Sequence, residues 1–276
     1  MIDGFDTAAF VAATLAEDLG TGGDITSNAV IPADARLDAV MASRDDVVLA
    51  GIALAEGFFQ ALDPECRLER LVADGTAVPA GTAILRISGN ARALLAAERS
   101  ALNTVQHLTG IATVTRSYVE AIAGTGAVLL DTRKTLPGLR TLEKYATLMG
   151  GATNHRLRLD DGVMIKDNHI AVAGGVAPAV CAAKAAGLSG VVVEVDRIDQ
   201  IEPAIVAGAD RLLLDNMDVP TLRAAVALVA SRVPTEASGG VRLDTIRAIA
   251  ETGVTFISVG RITQSAPAAD IGLDFA

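Results

Sequence analysis

Seven of the 23 lysines and arginines and two of the three histidines fall between Asp131 and Ile170, in a chain of formal charge -10. They stand in short packets, Arg133-Lys134, His155-Arg156 and Lys166, beside the ends of apolar runs. A negative field repels anions unless something local reverses it, so this clustering describes a pocket for a compact, multiply charged anion. Arginine offers a planar fork that fits a carboxylate or phosphate, and lysine offers a mobile point charge. His155 could donate to a carboxylate or tune its neighbour; a histidine satisfied within the core is the plainer reading. Arg140 and Lys144 lie four apart on one helix face, placed either to touch a phosphate or to pair with acids on a wet surface. Arg158 and Asp160-Asp161 read as surface.

Two acids, Glu194 and Asp215, end neighbouring apolar runs. Among so many cations they would anchor an anion poorly, but they suit Mg²⁺ or ribose hydroxyls. A salt bridge to Lys166 is the structural alternative, and the two roles can coexist. SGGVR (238–242) and SVGRITQ (258–264) each put glycine near the start of a helix, where backbone N–H groups can face a phosphate. No GxGxxG after a first strand, P-loop, GxSxG or HExxH is present. With no nucleophile in its usual setting, catalysis would work by positioning and charge, as when a phosphorylated sugar loses pyrophosphate.

These residues need a scaffold that gathers strand ends. From Val128 the chain repeats strand, loop and helix, with predicted strands at 128–132, 154–156, 163–167, 191–195, 211–215, 235–238 and 256–260. Predicted helices lie near 139–148, 175–187, 197–207, 218–231 and 242–251. Nearly continuous apolar strands imply a sheet covered on both faces. Polar residues at strand after strand's carboxyl end predict the mouth of a (β/α) barrel, where catalytic groups gather. Residues 1–112 instead mix a helix at 6–18, an N-cap or loop at the glycine-rich turn with Asp24 and Thr26, a helix at 52–61 and short strands joined by Gly and Pro turns. A long helix over 91–123 carries a stripe of Arg99, Asn103, His107 and Gly110, either wet or packed. The fold class is therefore α/β: an N-terminal α/β, α+β-like domain (1–112), then a partly open (β/α) barrel (113–266). The tail (267–276) is expected to hold a short helix and an extended end returning to the first domain, covering Leu273 and Phe275.

Composition narrows the function. Hydrophobic residues make up 51%, yet no run nears the roughly 18 apolar residues of a membrane span. The acidic start lacks a basic n-region, so no signal peptide and a cytoplasmic location are expected. Cys66 and Cys181 are isolated, indicating neither a disulfide framework nor a zinc site. A pI near 4.8 and the absence of Trp argue against nucleic acid as a partner.

Taken together, EDLGTGGDIT (17–26), ERSALNTVQHLTGIAT (98–113), DTRKTLPGLRTLEKYA (131–146), GGATNHRL (150–157), IKDNH (165–169), LDN (214–216), EASGGV (236–241) and SVGRITQSAPAADIGLDF (258–275) closely resemble the quinolinate phosphoribosyltransferases, or nicotinate-nucleotide pyrophosphorylases (carboxylating). The resemblance covers nearly the whole chain in order. It implies decarboxylating phosphoribosyl transfer from 5-phosphoribosyl 1-pyrophosphate to quinolinate, giving nicotinate mononucleotide. It also implies a homodimer or larger assembly with shared sites. By the matching motifs, Arg99 of one subunit joins Arg133, His155, Arg156 and Lys166 around the quinolinate carboxylates. Lys134, Glu194 and Asp215 meet the sugar pyrophosphate and its Mg²⁺, the two acids as metal ligands, with Ser238, Gly239, Gly260 and Gln264 near phosphate. Lys134, Lys166, Glu194 and Asp215 are the expected catalytic set. Two departures stand out: Gln264 where the family commonly has histidine, and Ala152 where it commonly has glycine. A phosphoribosyltransferase for another planar acid and a non-catalytic binder of the same fold are the alternatives.

Overall fold

The computed structural model describes residues 4–275. The chain forms two compact units. The first takes the residues up to Arg116, the segment Thr141–Gly151, and the residues from Ala266 on; the second takes Ser117–Arg140 and Ala152–Ser265. The helix Arg140–Gly150, read from the sequence as part of the barrel repeat, thus lies almost wholly in the first unit.

In the first unit, four antiparallel strands run in the order Ile271–Phe275, Arg36–Ser43, Ala83–Asn90, Arg67–Arg70. Along Arg36–Ser43, Ala39, Met41 and Ser43 are buried alternately, so one face meets the core. Helix Thr7–Leu19 starts at Asp6, whose carboxylate accepts from the Ala9 N–H at 2.9 Å. Asp24 caps helix Ile25–Val30 in the same way, as predicted. Helix Ile52–Leu62 carries Phe58 and Phe59 into the core, both fully buried.

The tail returns as expected, with Ser43 opposite Ile271 and Ala39 opposite Phe275. Leu273 packs against the core, but Phe275 stays 71% exposed, so only one of the two is covered. The short helix also lies earlier than predicted, at Arg261–Gln264, and residues 266–270 are non-helical.

Helix Ala91–Ala121 matches the long predicted one, and its polar stripe changes character along its length. Arg99 and Asn103 are exposed. One turn on, His107 Nε2 lies 2.9 Å from Glu143 Oε1, a fully buried carboxylate. Gly110 is buried, and a β-carbon there would fall on the Pro267 carbonyl oxygen. Glycine lets two backbones touch where any side chain would part them.

The second unit is built on six parallel strands: Val128–Leu130, Phe256–Ser258, Thr235–Ser238, Arg211–Asp215, Val192–Val195 and Met164–Ile165, in that order across the sheet. Sequence neighbours pair in turn from Met164–Ile165 on, and the last strand of this unit, Phe256–Ser258, pairs back with its first, Val128–Leu130. A single bridge, Leu130 to Thr153, extends the far edge. Among the described residues no ladder joins that bridge to Met164–Ile165, so the barrel is partly open.

The strand predicted at 154–156 is therefore not formed. Its backbone is diverted: the Asp131 carboxylate accepts from the His155 N–H at 2.7 Å and from Asn154 Nδ2 at 2.6 Å. The strand predicted at 163–167 ends at Ile165 because Lys166 caps a helix that the sequence reading missed, Asp167–Ala173. Ala152 is buried and lies outside the left-handed region, so the β-carbon that replaces a hydrogen there is accommodated. Among the described residues no helix is long and apolar enough to cross a membrane.

Gly110→Ala should lower stability by about 1–3 kcal/mol, because the Pro267–Ala268 backbone has to withdraw from the helix. Chemical denaturation measures the change. An unaltered midpoint would show that the tail is not seated there.

Candidate active site

The carboxyl ends of the six strands, with the Thr153 bridge, open on one cavity of about 860 Å³. Strand Val128–Leu130 leads to Thr132, Arg133 and Lys134; the bridge leads to His155 and Arg156; Met164–Ile165 leads to Lys166. Glu194, Asp215 and Ser238 each lie at or one residue before their strand's end, Gly239 and Gly260 follow in the last loops, and Gln264 ends the helix that Gly260 caps. All of these predicted site residues line the cavity. Arg99 does not: it is an exposed residue of the first unit.

On one side are the cations. Arg133 Nε is buried without a hydrogen-bond partner. Arg156 donates from Nη1 to the Gly162 carbonyl at 2.8 Å. Burial, and then repulsion from Arg133, hold the Arg156 guanidinium below its ordinary pKa, with Asp161 opposing. Two like charges placed side by side, one with an orphaned buried donor, form half of an anion site.

His155 has both nitrogens turned toward protein. Nδ1 accepts from the Arg156 N–H at 2.7 Å, and Nε2 faces Glu236 Oε2 at 3.4 Å. Glu236 is fully buried and also accepts from Arg211 Nη1 at 3.2 Å. Burial pushes its carboxyl up, but the contact with His155 and its charge, then the Ser258 hydroxyl and the charge of Arg211, more than offset this, holding it below the usual range.

The opposite side is acidic. Lys166 Nζ donates to Glu194 Oε2 at 2.6 Å, the salt bridge weighed as an alternative. Asp215 is pushed up by burial and then by repulsion from Glu194, partly relieved by Lys166, Lys134 and the Asn216 amide. Two carboxylates close enough to repel suit a hard divalent cation. No group of three metal-ligating side chains occurs among the described residues, so such an ion would need phosphate oxygens and water to fill its shell.

The glycine loops have steric reasons. Gly239 (φ 93°) allows no side chain, since a β-carbon would fall on the Asn216 side-chain oxygen. Asn216 is itself left-handed at φ 54° and donates to Asp215 Oδ2 at 2.6 Å. At Gly260 a β-carbon would lie 2.8 Å from Lys134 Cδ, so this glycine makes room for the lysine. The Lys134 carbonyl accepts from Thr263 Oγ1 at 2.6 Å, tying the loop after the first strand to the last helix.

Sequence reasoning missed Asn216, Arg242 and Arg261 as cavity residues, although each sits inside a motif already singled out. It left Glu236 only as a polar strand end. Arg140 donates to Thr135 Oγ1 and the Leu157 carbonyl, Lys144 is 1% exposed, and neither lines the cavity or a wet face.

Comparison with known proteins agrees with this geometry. The profile of the quinolinate phosphoribosyl transferase N-terminal domain matches residues 24–109, and that of the C-terminal domain residues 111–274. The chain is 41% identical to the chloroplastic nicotinate-nucleotide pyrophosphorylase [carboxylating] of Oryza sativa, covering 98% of this chain and 77% of that protein. It is 42% identical to the probable nicotinate-nucleotide pyrophosphorylase [carboxylating] of Synechocystis, covering 94% and 89%. Among solved structures, the nicotinate-nucleotide pyrophosphorylase of Francisella tularensis superimposes with a TM-score of 0.93 at 41% identity, over 98% of this chain and 96% of that one. That of Ehrlichia chaffeensis gives a TM-score of 0.95 at 36% identity, over 99% and 100%. With both domain profiles matched in order over nearly its whole length, the chain belongs to the quinolinate phosphoribosyl transferase family.

Proposed function

We propose that this chain joins the ring nitrogen of quinolinate to C1 of 5-phosphoribosyl 1-pyrophosphate, releasing pyrophosphate and then CO₂ to leave nicotinate mononucleotide for NAD synthesis. The observation that carries the reading is the pair of neighbouring guanidiniums, Arg133 and Arg156, at the mouth of a barrel in a chain of charge -10. A dicarboxylate supplies the anion that their repulsion calls for, and Lys166 adds a third cation at the same mouth.

In this reading the chemistry divides between the two sides of the cavity. The nitrogen–carbon bond forms as the C1–oxygen bond to pyrophosphate breaks. Lys134, with Arg242 and Arg261 in the glycine loops, takes up the charge of phosphate groups. Glu194 and Asp215 would hold Mg²⁺ against the sugar pyrophosphate, where it would neutralise charge on the leaving group. Their carboxylates also tolerate positive charge developing at the sugar carbon. Quaternising the nitrogen makes the ring an electron sink. The C2–carboxylate bond then breaks with its electron pair left on C2, which takes up a proton.

Arg99 completes the reading as a homodimer. An exposed arginine with no ion pair among the described residues, at the wet end of the helix stripe, is free to enter a neighbouring subunit's cavity. Cys66 and Cys181 are free thiols, which suits the reducing cytoplasm.

Incubation with quinolinate or nicotinate, each with the sugar pyrophosphate and Mg²⁺, tests the assignment. Quinolinate should yield CO₂ and pyrophosphate in equal amounts, and a preference for nicotinate would overturn the reading. Under the same conditions Arg133→Ala should weaken quinolinate binding by about 2–5 kcal/mol, measured calorimetrically.

For the shared site, a subunit carrying Arg99→Ala mixed with one carrying Lys166→Ala should recover activity in one site of each heterodimer. Demonstrated heterodimers without recovery would count against it.

Asp215 gives a prediction with a sign. Its carboxyl is raised in the folded protein, so its contribution to stability is full below the unfolded pKa and is lost as pH rises through the folded one. Asp215→Asn, which stays neutral, should therefore be more stable than the parent at pH 7 while losing activity. That advantage should vanish below pH ~4, where the parent carboxyl is protonated too. Thermal melts across pH read this directly, and a variant less stable at pH 7 would contradict the sign.

A further inference from the structure

Glu236, a fully buried carboxylate in the cavity lining, has no role in the mechanism above. Its strand neighbours in register are Leu213 and Phe256, so it projects from the middle of the sheet, where a barrel interior is ordinarily filled with branched apolar side chains. A fully buried carboxylate there is expensive unless it holds something in place. Below, it accepts from Arg211, the first residue of the neighbouring strand, whose guanidinium also lies 4.1 Å over the Phe256 ring. Above, it faces His155 Nε2 at 3.4 Å.

The direction of the next contact decides what this does. Since the Arg156 N–H donates to His155 Nδ1 at 2.7 Å, Nδ1 must be bare, and the ring proton sits on Nε2, toward Glu236. Arg156 then turns its guanidinium to the Gly162 carbonyl and toward Arg133. The chain of contacts runs from a buried anion through one imidazole tautomer and a backbone N–H to a substrate-facing arginine.

We infer that Glu236 is a positioning residue for the dicarboxylate: it fixes His155 as the Nε2–H tautomer, and His155 in turn fixes the Arg156 backbone beside Arg133. The inference rests on the quinolinate reading for its substrate, but not for its tautomer. A polar network of this kind orients a binding group without touching the ligand, as outer-shell partners orient metal-binding histidines.

The chain has three histidines, so their ¹⁵N side-chain resonances can be assigned by single replacements. In the unmodified protein His155 should show a bare Nδ1 and a protonated Nε2 at neutral pH. A protonated Nδ1 would overturn the inference even if no variant folds. Glu236→Gln should mix the two tautomers and raise the KM for quinolinate roughly ten-fold, with the KM for the sugar pyrophosphate changed less than about two-fold. Equal rises in both, or an unchanged tautomer, would mark Glu236 as a merely structural acid. His155→Asn keeps an acceptor near the Arg156 N–H, and adding Glu236→Gln to it should raise the quinolinate KM no further. Independent, multiplying effects would sink the inference. Should quinolinate prove not to be the substrate at all, the resonances still report the Glu236–His155–Arg156 relay by themselves.

Discussion

Two guanidiniums held at one end of a sheet repel until an anion joins them, and a buried carboxylate is what holds them. Asp131 is fully buried at the carboxyl end of the first barrel strand, where it accepts the His155 N–H and the Asn154 amide. That costs the neighbouring segment its place in the ladder beyond Thr153. It also brings Arg156 to the strand end from which Arg133 projects. The open seam of the barrel and its anion site thus have one cause. A backbone donor and a side-chain amide are spent on a carboxylate instead of a strand, and His155 and Arg156 line the mouth.

The other side of the mouth carries the opposite frustration. Burial and the neighbouring Glu194 raise the cost of ionising Asp215, and Lys166 relieves only part of it. One cavity therefore carries repulsion of both signs, Arg133 against Arg156 and Glu194 against Asp215. The proposed substrates match this pairing, a dicarboxylate for one side and a cation-bound pyrophosphate for the other. Such a site is destabilising until filled, which is how binding energy comes to be directed at charge rather than at apolar surface.

Much of this was readable in the chain. Strands 211–215 and 235–238 form where predicted, since a run covered on both faces leaves an unbroken hydrophobic signal. Strand-end polarity pointed to Arg133, Lys166, Glu194 and Asp215, and the clustering of basic residues to Lys134, His155 and Arg156; all of them line the cavity. What failed had no periodicity to read. Helix Asp167–Ala173 buries no residue, so it has no apolar stripe; the Lys166 N–H held by His169 Nδ1 and the Gly174-Gly175 stop define it instead. The segment 154–156 looked like a strand because the competing Asp131 contact is not local. Helix Arg140–Gly150 was assigned by its place in the repeat, whereas its partners, such as His107 for Glu143 and Asp74 for Tyr145, lie far back in the chain.

Gln264 shows how a departure from a motif is judged by its surroundings rather than by its position. A neutral amide where the family commonly has histidine removes a possible cation from the glycine-rich end of the cavity. Yet the loops at this end turn Arg242 and Arg261 toward the cavity, and Gly260 clears the space that Lys134 occupies. Arg242 is partly neutralised by Asp244 at 3.1 Å, but Arg261 has no ion pair among the described residues. Positive charge at this end of the cavity is therefore supplied by lysine and arginine side chains rather than by an imidazole. Glutamine at this place loses a titratable group while keeping a hydrogen-bond donor. The electrostatics of the phosphate end then depend less on pH than they would with an imidazole there.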